Sequence, residues 1–289
     1  MPPLPAWLRK PETHFDQLHQ IKSDLRQLGL HTVCESARCP NIHECFRRGA
    51  ATFMILGDRC SRSCGFCAVP GGHSPDPPDP DEPSGVARMA SRLGLRHVVV
   101  TSVTRDDLPD GGASHFARTV LALRETLPEA RVEVLTPDFG GDRHALAHVL
   151  DSGPQIFNHN METVARLYPR VRPQASYRRS LDVLRFARSY RPESATKSGL
   201  MVGLGENVHE VERLLDDIRE AGVGIVTIGQ YLQPTRKNVP VASFISPSQF
   251  DAWRDYGLSI GFQTVLSGPF VRSSYLAETV ALRAAEAEC

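Results

Sequence analysis

Short runs of apolar, often β-branched residues recur along most of the chain, and each run is too short to form a helix by itself. A continuous apolar run bounded by polar or turn-forming residues is typical of a strand buried on both faces, as in a parallel sheet. The pattern therefore predicts buried strands at residues 51–56, 97–101, 132–136, 155–158, 199–202 and 224–228.

Longer amphipathic stretches lie between these runs, with apolar residues three and four positions apart, the spacing of one helix face. They predict helices at residues 83–93, 113–127, 143–150, 180–189 and 208–221. Strand and helix thus alternate about six times, which indicates an α/β fold of right-handed βα units. Such units form either a barrel or an open doubly wound sheet, and in both the functional side chains lie at the carboxyl ends of the strands.

The composition is that of a folded protein with balanced charge. The 289 residues are 41% hydrophobic, and 33 Lys and Arg balance 33 Asp and Glu. A neutral chain gives no global electrostatic reason to expect a nucleic acid or an anionic membrane as partner. No window approaches the roughly 18 apolar residues of a membrane helix, and residues 1–10 lack the apolar core of a signal peptide. We therefore expect a cytoplasmic protein.

Six of the seven cysteines are bunched in two groups of three. Disulfides are rare in a reducing compartment, so clustered cysteines indicate metal ligands or catalytic thiols. Neither group offers the paired C-x2-C hairpins of a structural zinc site. Three thiolates on a four-iron cubane leave one iron open to another ligand or a substrate. The first triplet (C-x4-C-x5-C) is Cys34, Cys39 and Cys45, and the second (C-x3-C-x2-C) is Cys60, Cys64 and Cys67.

The second triplet directly follows the first predicted strand, so a strand leads into the cysteine loop. This spacing, with Phe66 before the last cysteine, resembles the signature of the radical S-adenosylmethionine (SAM) superfamily. The resemblance implies a [4Fe-4S] cluster on Cys60, Cys64 and Cys67 that binds SAM and cleaves it to a 5′-deoxyadenosyl radical. It also implies a partial (β/α)6 TIM-like barrel of the radical SAM type, with N- and C-terminal extensions. A zinc site or a purely structural cluster is the alternative.

Polar residues stand near the ends of several predicted strands and are candidates for contacts to SAM. Thr101 ends the second strand, Asn158, Asn160 and Glu162 lie at the end of the fourth, and Lys197 precedes the fifth. Because the mouth of a barrel is built from the carboxyl ends of its strands, we predict that these five residues contact the cofactor. Asn158 and Asn160 also suit the N-terminal cap of a following helix, which is the alternative.

Longer strings narrow the resemblance to the lipoyl synthase family, from about residue 6 to residue 275. The C-x4-C-x5-C spacing is the most discriminating feature, because it is similar to the motif that separates this family from other radical SAM proteins. The strings are residues 34–45 (CESARCPNIHEC), 101–113 (TSVTRDDLPDGGA), 157–160 (FNHN), 197–206 (KSGLMVGLGE), 229–234 (GQYLQP) and 268–275 (GPFVRSSY).

The family resemblance implies a second, auxiliary [4Fe-4S] cluster, held by the first triplet and by a serine oxygen from the RSSY string. We assign this ligand to Ser274, with Ser273 as the alternative, because the motif alone does not distinguish adjacent serines. A serine oxygen is a hard ligand among soft thiolates, so we expect it to exchange most easily. Such lability suits a cluster that is dismantled during the reaction.

The implied activity is insertion of two sulfur atoms at C6 and C8 of an octanoyl chain that is amide-linked to a carrier-protein lysine, with the auxiliary cluster as sulfur donor. No side chain can deprotonate such unactivated carbons, so a cofactor-derived radical is the available route. The implied partners are octanoylated lipoyl-carrier domains, of the glycine cleavage H protein or a 2-oxoacid dehydrogenase E2, and an electron donor such as ferredoxin or flavodoxin.

Three regions are predicted: an N-terminal extension with the first triplet (1–50), the barrel (51–265) and a segment that closes the auxiliary cluster (266–289). Two other classes of protein compete with this interpretation. A biotin synthase-like enzyme acting on a free small molecule would share the second triplet but lack the first. A non-enzymatic iron–sulfur module would saturate each iron with cysteine and would not need a barrel.

Overall fold

The computed structural model describes residues 4–9, 18–37, 39–47, 50–72 and 76–275. Within these residues eight strands form one sheet: β1 His31–Thr32, β2 Ala51–Ile55, β3 His97–Ser102, β4 Arg131–Leu135, β5 Ile156–Asn158, β6 Ala195–Val202, β7 Ile225–Gln230 and β8 Thr264–Gly268. The helices are α1 Leu18–Gln27, α2 Val33–Ser36, α3 Ile42–Arg47, α4 Glu82–Arg92, α5 Ala113–Thr126, α6 Arg143–Asp151, α7 Tyr168–Val171, α8 Tyr177–Tyr190, α9 Val208–Glu220 and α10 Pro247–Ser259.

The strands lie side by side in chain order from β1 to β8. β2 to β8 pair in parallel, whereas β1 joins the edge of β2 in the antiparallel sense. In the described part of the chain β1 and β8 do not pair with each other, so the barrel is not closed by hydrogen bonds. The predicted α/β class, a partial barrel of βα units, is confirmed.

The structure contains all the predicted strands and helices, together with elements that the sequence did not predict. The six predicted strands correspond to β2 to β7, and the five predicted helices to α4, α5, α6, α8 and α9. Strands β1 and β8 are additional, as are helices α1, α2, α3, α7 and α10. β8 has only two buried residues and joins the sheet through its pairing with β7, so its own sequence gives a weak strand signal.

Two groups of buried apolar side chains fill the space between sheet and helices. One joins β2 to β5 with α4 to α6, around Phe53 and Phe116, which are both fully buried. The other joins β6 to β8 with α8 to α10, around Leu214, Ile228 and Trp253. Because these side chains pack the helices against the sheet, they hold in place the strands whose ends carry the polar residues.

Helix α9 shows how local sequence sets an element boundary. The side chain of Asn207 accepts a hydrogen bond from the Glu210 backbone N–H, and the Glu210 carboxylate accepts one from the Asn207 N–H. This reciprocal capping box satisfies two N–H groups that the first helical turn leaves without partners. The helix therefore begins directly after the glycine turn that ends β6.

The division of the chain into 1–50, 51–265 and 266–289 stays a prediction. β1, from the first region, and β8, which spans the second boundary, belong to the same sheet as the barrel strands. Residues 276–289 lie outside the described residues. Over the part of the chain that the structure describes, no helix is both long and apolar enough to cross a membrane.

Candidate active site

A cavity of about 580 Å³ lies at the carboxyl ends of the strands. All six clustered cysteines line it, together with Ser273 and Ser274. The two triplets are separate in sequence, yet the structure brings both to one chamber. Such a chamber at the mouth of a barrel is the usual location of an active site.

The second triplet occupies a tight loop after β2. The Cys60 N–H donates to the Pro70 carbonyl at 2.9 Å, and the Gly72 N–H donates to the Cys60 carbonyl at 3.1 Å. The Cys60 sulfur accepts backbone N–H groups of Arg62 at 3.4 Å and Thr104 at 3.3 Å. Donors aimed at a sulfur stabilise a thiolate, which is the form that binds iron.

The thiols of Cys34, Cys64 and Cys67 lie in surroundings that favour the neutral form until a cation is bound. Burial raises the pKa of Cys64 to about 11 and that of Cys67 to about 12, and neighbouring cysteines add to the shift. Burial and Cys39 likewise raise the pKa of Cys34 to about 12. Bound iron would supply the missing positive charge. No three His, Cys, Asp or Glu side chains of the described residues converge on a single-ion site, so the fit of the clusters rests on the donor set and the shared cavity.

A buried arginine, which the sequence analysis did not single out, holds the cysteine loop against the barrel. Arg62 donates from Nε to Asp106 and from Nη2 to Asp138, both at 2.7 Å. Burial opposes its charge, but the two carboxylates outweigh burial and raise the pKa of Arg62. Asp106 and Asp138 follow β3 and β4, so the loop is tied to two strand ends. In the sequence Asp106 appears only within the string 101–113, and nothing there pairs it with Arg62.

The first triplet is tied to the C-terminal segment, which we define as residues 268–275. Between Cys39 and Cys45, Asn41 donates from Nδ2 to the Phe270 carbonyl at 2.8 Å. The Tyr275 hydroxyl donates to Glu44 Oε1 at 3.0 Å, directly beside Cys45. The C-terminal segment therefore lies over the loop of the first triplet, although more than 200 residues separate them in sequence.

The two adjacent serines have different surroundings. The Ser273 hydroxyl donates to Asn160 Oδ1 at 2.6 Å, and its oxygen accepts from Asn158 Nδ2 at 3.4 Å. Among the described residues the Ser274 hydroxyl has no protein partner, and Ser274 lines the cavity. The hydroxyl of Ser274 is thus the one that remains available to a ligand in the cavity.

Three of the five predicted SAM contacts line the cavity. These are Thr101, Asn160 and Glu162. Asn160 donates to Glu162 Oε1 at 2.9 Å, and burial raises the pKa of Glu162. The structure does not bring Asn158 and Lys197 to the cavity surface, because both are fully buried around Glu133. Both side chains instead bind the Glu133 carboxylate inside the barrel.

Arg172 is a further cavity residue that the sequence did not indicate. It is only 9% exposed, and its Nη1 donates to the carbonyls of Asn160 at 2.9 Å and Met161 at 3.2 Å. Its charge lowers the pKa of Glu162 against the effect of burial, and it lowers that of Cys64 in the same way. It lies in the loop between α7 and α8, where one arginine among 33 basic residues gives no signal.

Comparison with known proteins agrees with this site. The model of the radical SAM superfamily matches residues 54–218, and the model of the N-terminal domain of lipoyl synthase matches residues 2–39. The lipoyl synthase of Rubrobacter xylanophilus is 55% identical over 94% of this chain and 84% of its own. That of Caldanaerobacter subterraneus is 52% identical over 95% of each chain, and that of Thermus thermophilus 49% identical over 98% of this chain and 88% of its own.

Solved structures share the fold at low sequence identity. Methylornithine synthase superposes with a TM-score of 0.56 at 14% identity, over 89% of this chain and 79% of its own. The FeFe-hydrogenase maturase of Carboxydothermus hydrogenoformans gives 0.54 at 12% identity, over 95% and 84%. The barrel, the cysteine loop and the superfamily match define a radical SAM enzyme. Within that class the chain belongs to the lipoyl synthase family, whose members insert sulfur and use SAM and two [4Fe-4S] clusters.

Proposed function

We propose that this protein makes the lipoyl group by inserting sulfur at C6 and C8 of an octanoyl chain attached to a carrier-protein lysine. The observation that supports this most directly is the single cavity lined by both cysteine triplets and by the RSSY string. A radical source and a sulfur source that share one chamber can act on the same carbon chain in succession. Holding each carbon near both sources supplies much of the rate enhancement.

The residues divide into two sets of cluster ligands. Cys60, Cys64 and Cys67 hold the cluster that, with SAM bound, supplies the radical. Cys34, Cys39 and Cys45, with Ser274, hold the auxiliary cluster that supplies the sulfur. Of the two serines, Ser274 is favoured because the Ser273 hydroxyl already bonds to Asn158 and Asn160.

The remaining cavity residues orient SAM and keep its site dry. We propose that Thr101, Asn160 and Glu162 contact SAM, since all three line the cavity near the second triplet. The carboxylate of Glu162 suits a protonated amino group. Burial raises the pKa of Glu162, and the nearby charge of Arg172 acts in the opposite direction, towards the carboxylate form.

The substrate class is tested by offering the holoenzyme an octanoylated lipoyl-carrier domain or free octanoic acid, with SAM and a reductant, under anaerobic conditions. We expect the carrier domain to gain two sulfur atoms by mass spectrometry while free octanoic acid gains none. Sulfur insertion into the free acid alone would instead favour an enzyme of small molecules, as in the biotin synthase-like alternative.

We further propose that the carrier docks at a basic pocket on the barrel rim. The pocket has a volume of about 360 Å³ and lies between the N-terminal ends of α6 and α8, which follow β4 and β5. Arg143, Arg178 and Arg179 line it, with an apolar floor that includes Phe186. One carboxylate, Asp182, also lines the pocket and is paired with Arg185. Arg179 lies 3.5 Å from Asp138, which also binds Arg62 of the active-site cavity, so the two cavities are neighbours.

This pocket fits carboxylates on a carrier of either proposed type, the glycine cleavage H protein or a 2-oxoacid dehydrogenase E2 domain. Guanidinium groups recognise carboxylates through paired hydrogen bonds, and the apolar floor can cover a side chain. Docking at the rim would bring the octanoyl-lysine arm to the mouth of the barrel. Ferredoxin or flavodoxin is our proposal for the electron donor.

Reversing one charge of this pocket is expected to weaken carrier binding without affecting chemistry. In Arg178→Glu, we expect the KM for the octanoylated carrier domain to rise roughly fivefold. This is the effect of replacing one attractive charge pair at an exposed surface by a repulsive pair. The kcat with a short octanoylated peptide is expected to stay unchanged. Arg188→Glu, at the other end of α8, is the matched control; equal KM values in the two variants would argue against the docking site.

A further inference from the structure

A continuous set of buried polar contacts fastens the C-terminal segment to the barrel interior. Asn158, whose Nδ2 reaches the Ser273 hydroxyl, also donates from Nδ2 to Glu133 Oε1 at 2.9 Å. Glu133 accepts from Lys197 Nζ at 2.9 Å, and Asn158, Glu133 and Lys197 are all 0% exposed. These contacts begin on β4, β5 and β6 and end on the residue next to Ser274.

Two barrel strands have glycine where the C-terminal segment crosses them. A Cβ at Gly199, on β6, would lie 2.8 Å from both Asn160 Oδ1 and Ser273 Oγ, and 2.7 Å from Thr227 Oγ1 on the neighbouring strand. A Cβ at Gly229, on β7, would collide with the carbonyl oxygen of Val271. Any side chain at these positions would push the segment away from the strands, so the close approach depends on glycine.

The buried ion pair gives this anchor a fixed geometry. A fully buried Lys and Glu gain little stability over apolar residues of the same size, because desolvation offsets their attraction. Here Glu133 uses one oxygen to fix the amide of Asn158, and Lys197 balances the resulting charge. The amide therefore presents its N–H to Ser273 in one orientation.

We infer that Ser273, held by Asn158 and Asn160, is a positioning residue that directs Ser274 to the auxiliary cluster. This inference rests on the proposed assignment of Ser274 as the cluster ligand. The two hydroxyls are neighbours, and engaging Ser273 with the barrel leaves Ser274 as the hydroxyl available to iron. The hydrogen bonds of Asn41 to Phe270 and of Tyr275 to Glu44 fix the same segment to the loop of the first triplet.

The test follows the auxiliary cluster alone, in full-length protein whose second triplet is changed to alanine. Ferricyanide removes the labile iron and leaves a three-iron cluster whose electron paramagnetic resonance signal reports the rate of iron loss. In Ser273→Ala we expect iron loss to accelerate roughly tenfold, the scale of losing one or two hydrogen bonds that hold the ligand in place. Gly199→Ala is expected to act in the same direction. Ser267→Ala, whose hydroxyl bonds to the Phe250 carbonyl, is the control and should match the parent.

Ser274→Ala separates the inference from the ligand assignment on which it rests. If Ser274→Ala accelerates iron loss but Ser273→Ala and Gly199→Ala do not, the positioning role is wrong and the ligand assignment stands. If Ser273→Ala accelerates iron loss and Ser274→Ala does not, Ser273 is itself the ligand and both proposals fail. Initial iron and sulfide content and circular dichroism establish that each variant is folded and loaded.

Discussion

Changing Lys197 to methionine is expected to destabilise the fold by about 3–5 kcal/mol, because it removes the lysine cation that faces the buried carboxylate of Glu133 and leaves only the neighbouring His97 ring beside it. The side chains of Lys197 and Glu133 are both 0% exposed, and Lys197 Nζ lies 2.9 Å from Glu133 Oε1. Urea unfolding followed by circular dichroism measures the change. The double variant Lys197→Met with Glu133→Gln removes both charges and is expected to recover more than half of the loss. A single variant as stable as the parent would contradict this account of the pair.

The same pair makes a contribution to stability that depends on pH. Burial raises the pKa of Glu133, but Lys197 and His97 outweigh burial and lower it from 4.5 to about 2. A carboxyl group whose pKa is lower in the folded than in the unfolded state stabilises the fold above the unfolded value. Its contribution is therefore complete above pH 4.5 and is lost as the pH falls towards 2. The charge-free double variant is expected to lose less stability over this interval than the parent.

Changing Cys64 to alanine is expected to abolish SAM cleavage, with a fall of at least about 1,000-fold, equivalent to about 4 kcal/mol in the activation barrier. Three thiolates hold the cluster that binds SAM, and two cannot keep its iron in place with the fourth site open. Formation of 5′-deoxyadenosine, measured by chromatography under anaerobic conditions, reports the change. Ser63→Ala, at the exposed neighbouring position, is expected to retain cleavage. Cleavage at the parental rate in Cys64→Ala would show that the second triplet does not hold the SAM cluster.

The fold was largely predictable because its strands are buried on both faces. A strand of this kind appears as a continuous apolar run, as in β3 and β7, whose central residues have almost no exposure. β1 is only two residues long, and β8 ends in half-exposed Leu266, Ser267 and Gly268. Pairing with a neighbouring strand, rather than their own composition, makes these two segments strands.

The candidate site was predictable only where residue spacing has a direct chemical meaning. The two cysteine triplets are of this kind, and the structure places both in one cavity. The buried position of Lys197 was not predictable, because its partner Glu133 is 64 residues away and nothing in the sequence pairs the two residues. The prediction that Lys197 and Asn158 contact SAM rests only on their positions near strand ends. In the structure both side chains are buried in the barrel interior, where they contact Glu133.

The adjacent serines show what tertiary contacts add to a motif. Ser273 and Ser274 are the same residue type in one string, so no sequence pattern separates them. Hydrogen bonds with Asn158 and Asn160 occupy the Ser273 hydroxyl and leave the Ser274 hydroxyl available. These partners lie more than 100 residues away, on and just after β5, and only the folded chain brings them to Ser273.

The most direct test of the central claim compares the parent with Cys34→Ala, in one anaerobic reaction with an octanoylated carrier peptide, SAM and a strong reductant. Mass spectrometry of the peptide measures sulfur insertion, and 5′-deoxyadenosine in the same mixture measures radical formation. We predict that the parent adds two sulfur atoms, whereas Cys34→Ala still forms 5′-deoxyadenosine and adds none. Two sulfur atoms in the Cys34→Ala product would contradict the assignment of the first triplet to the sulfur-donating cluster.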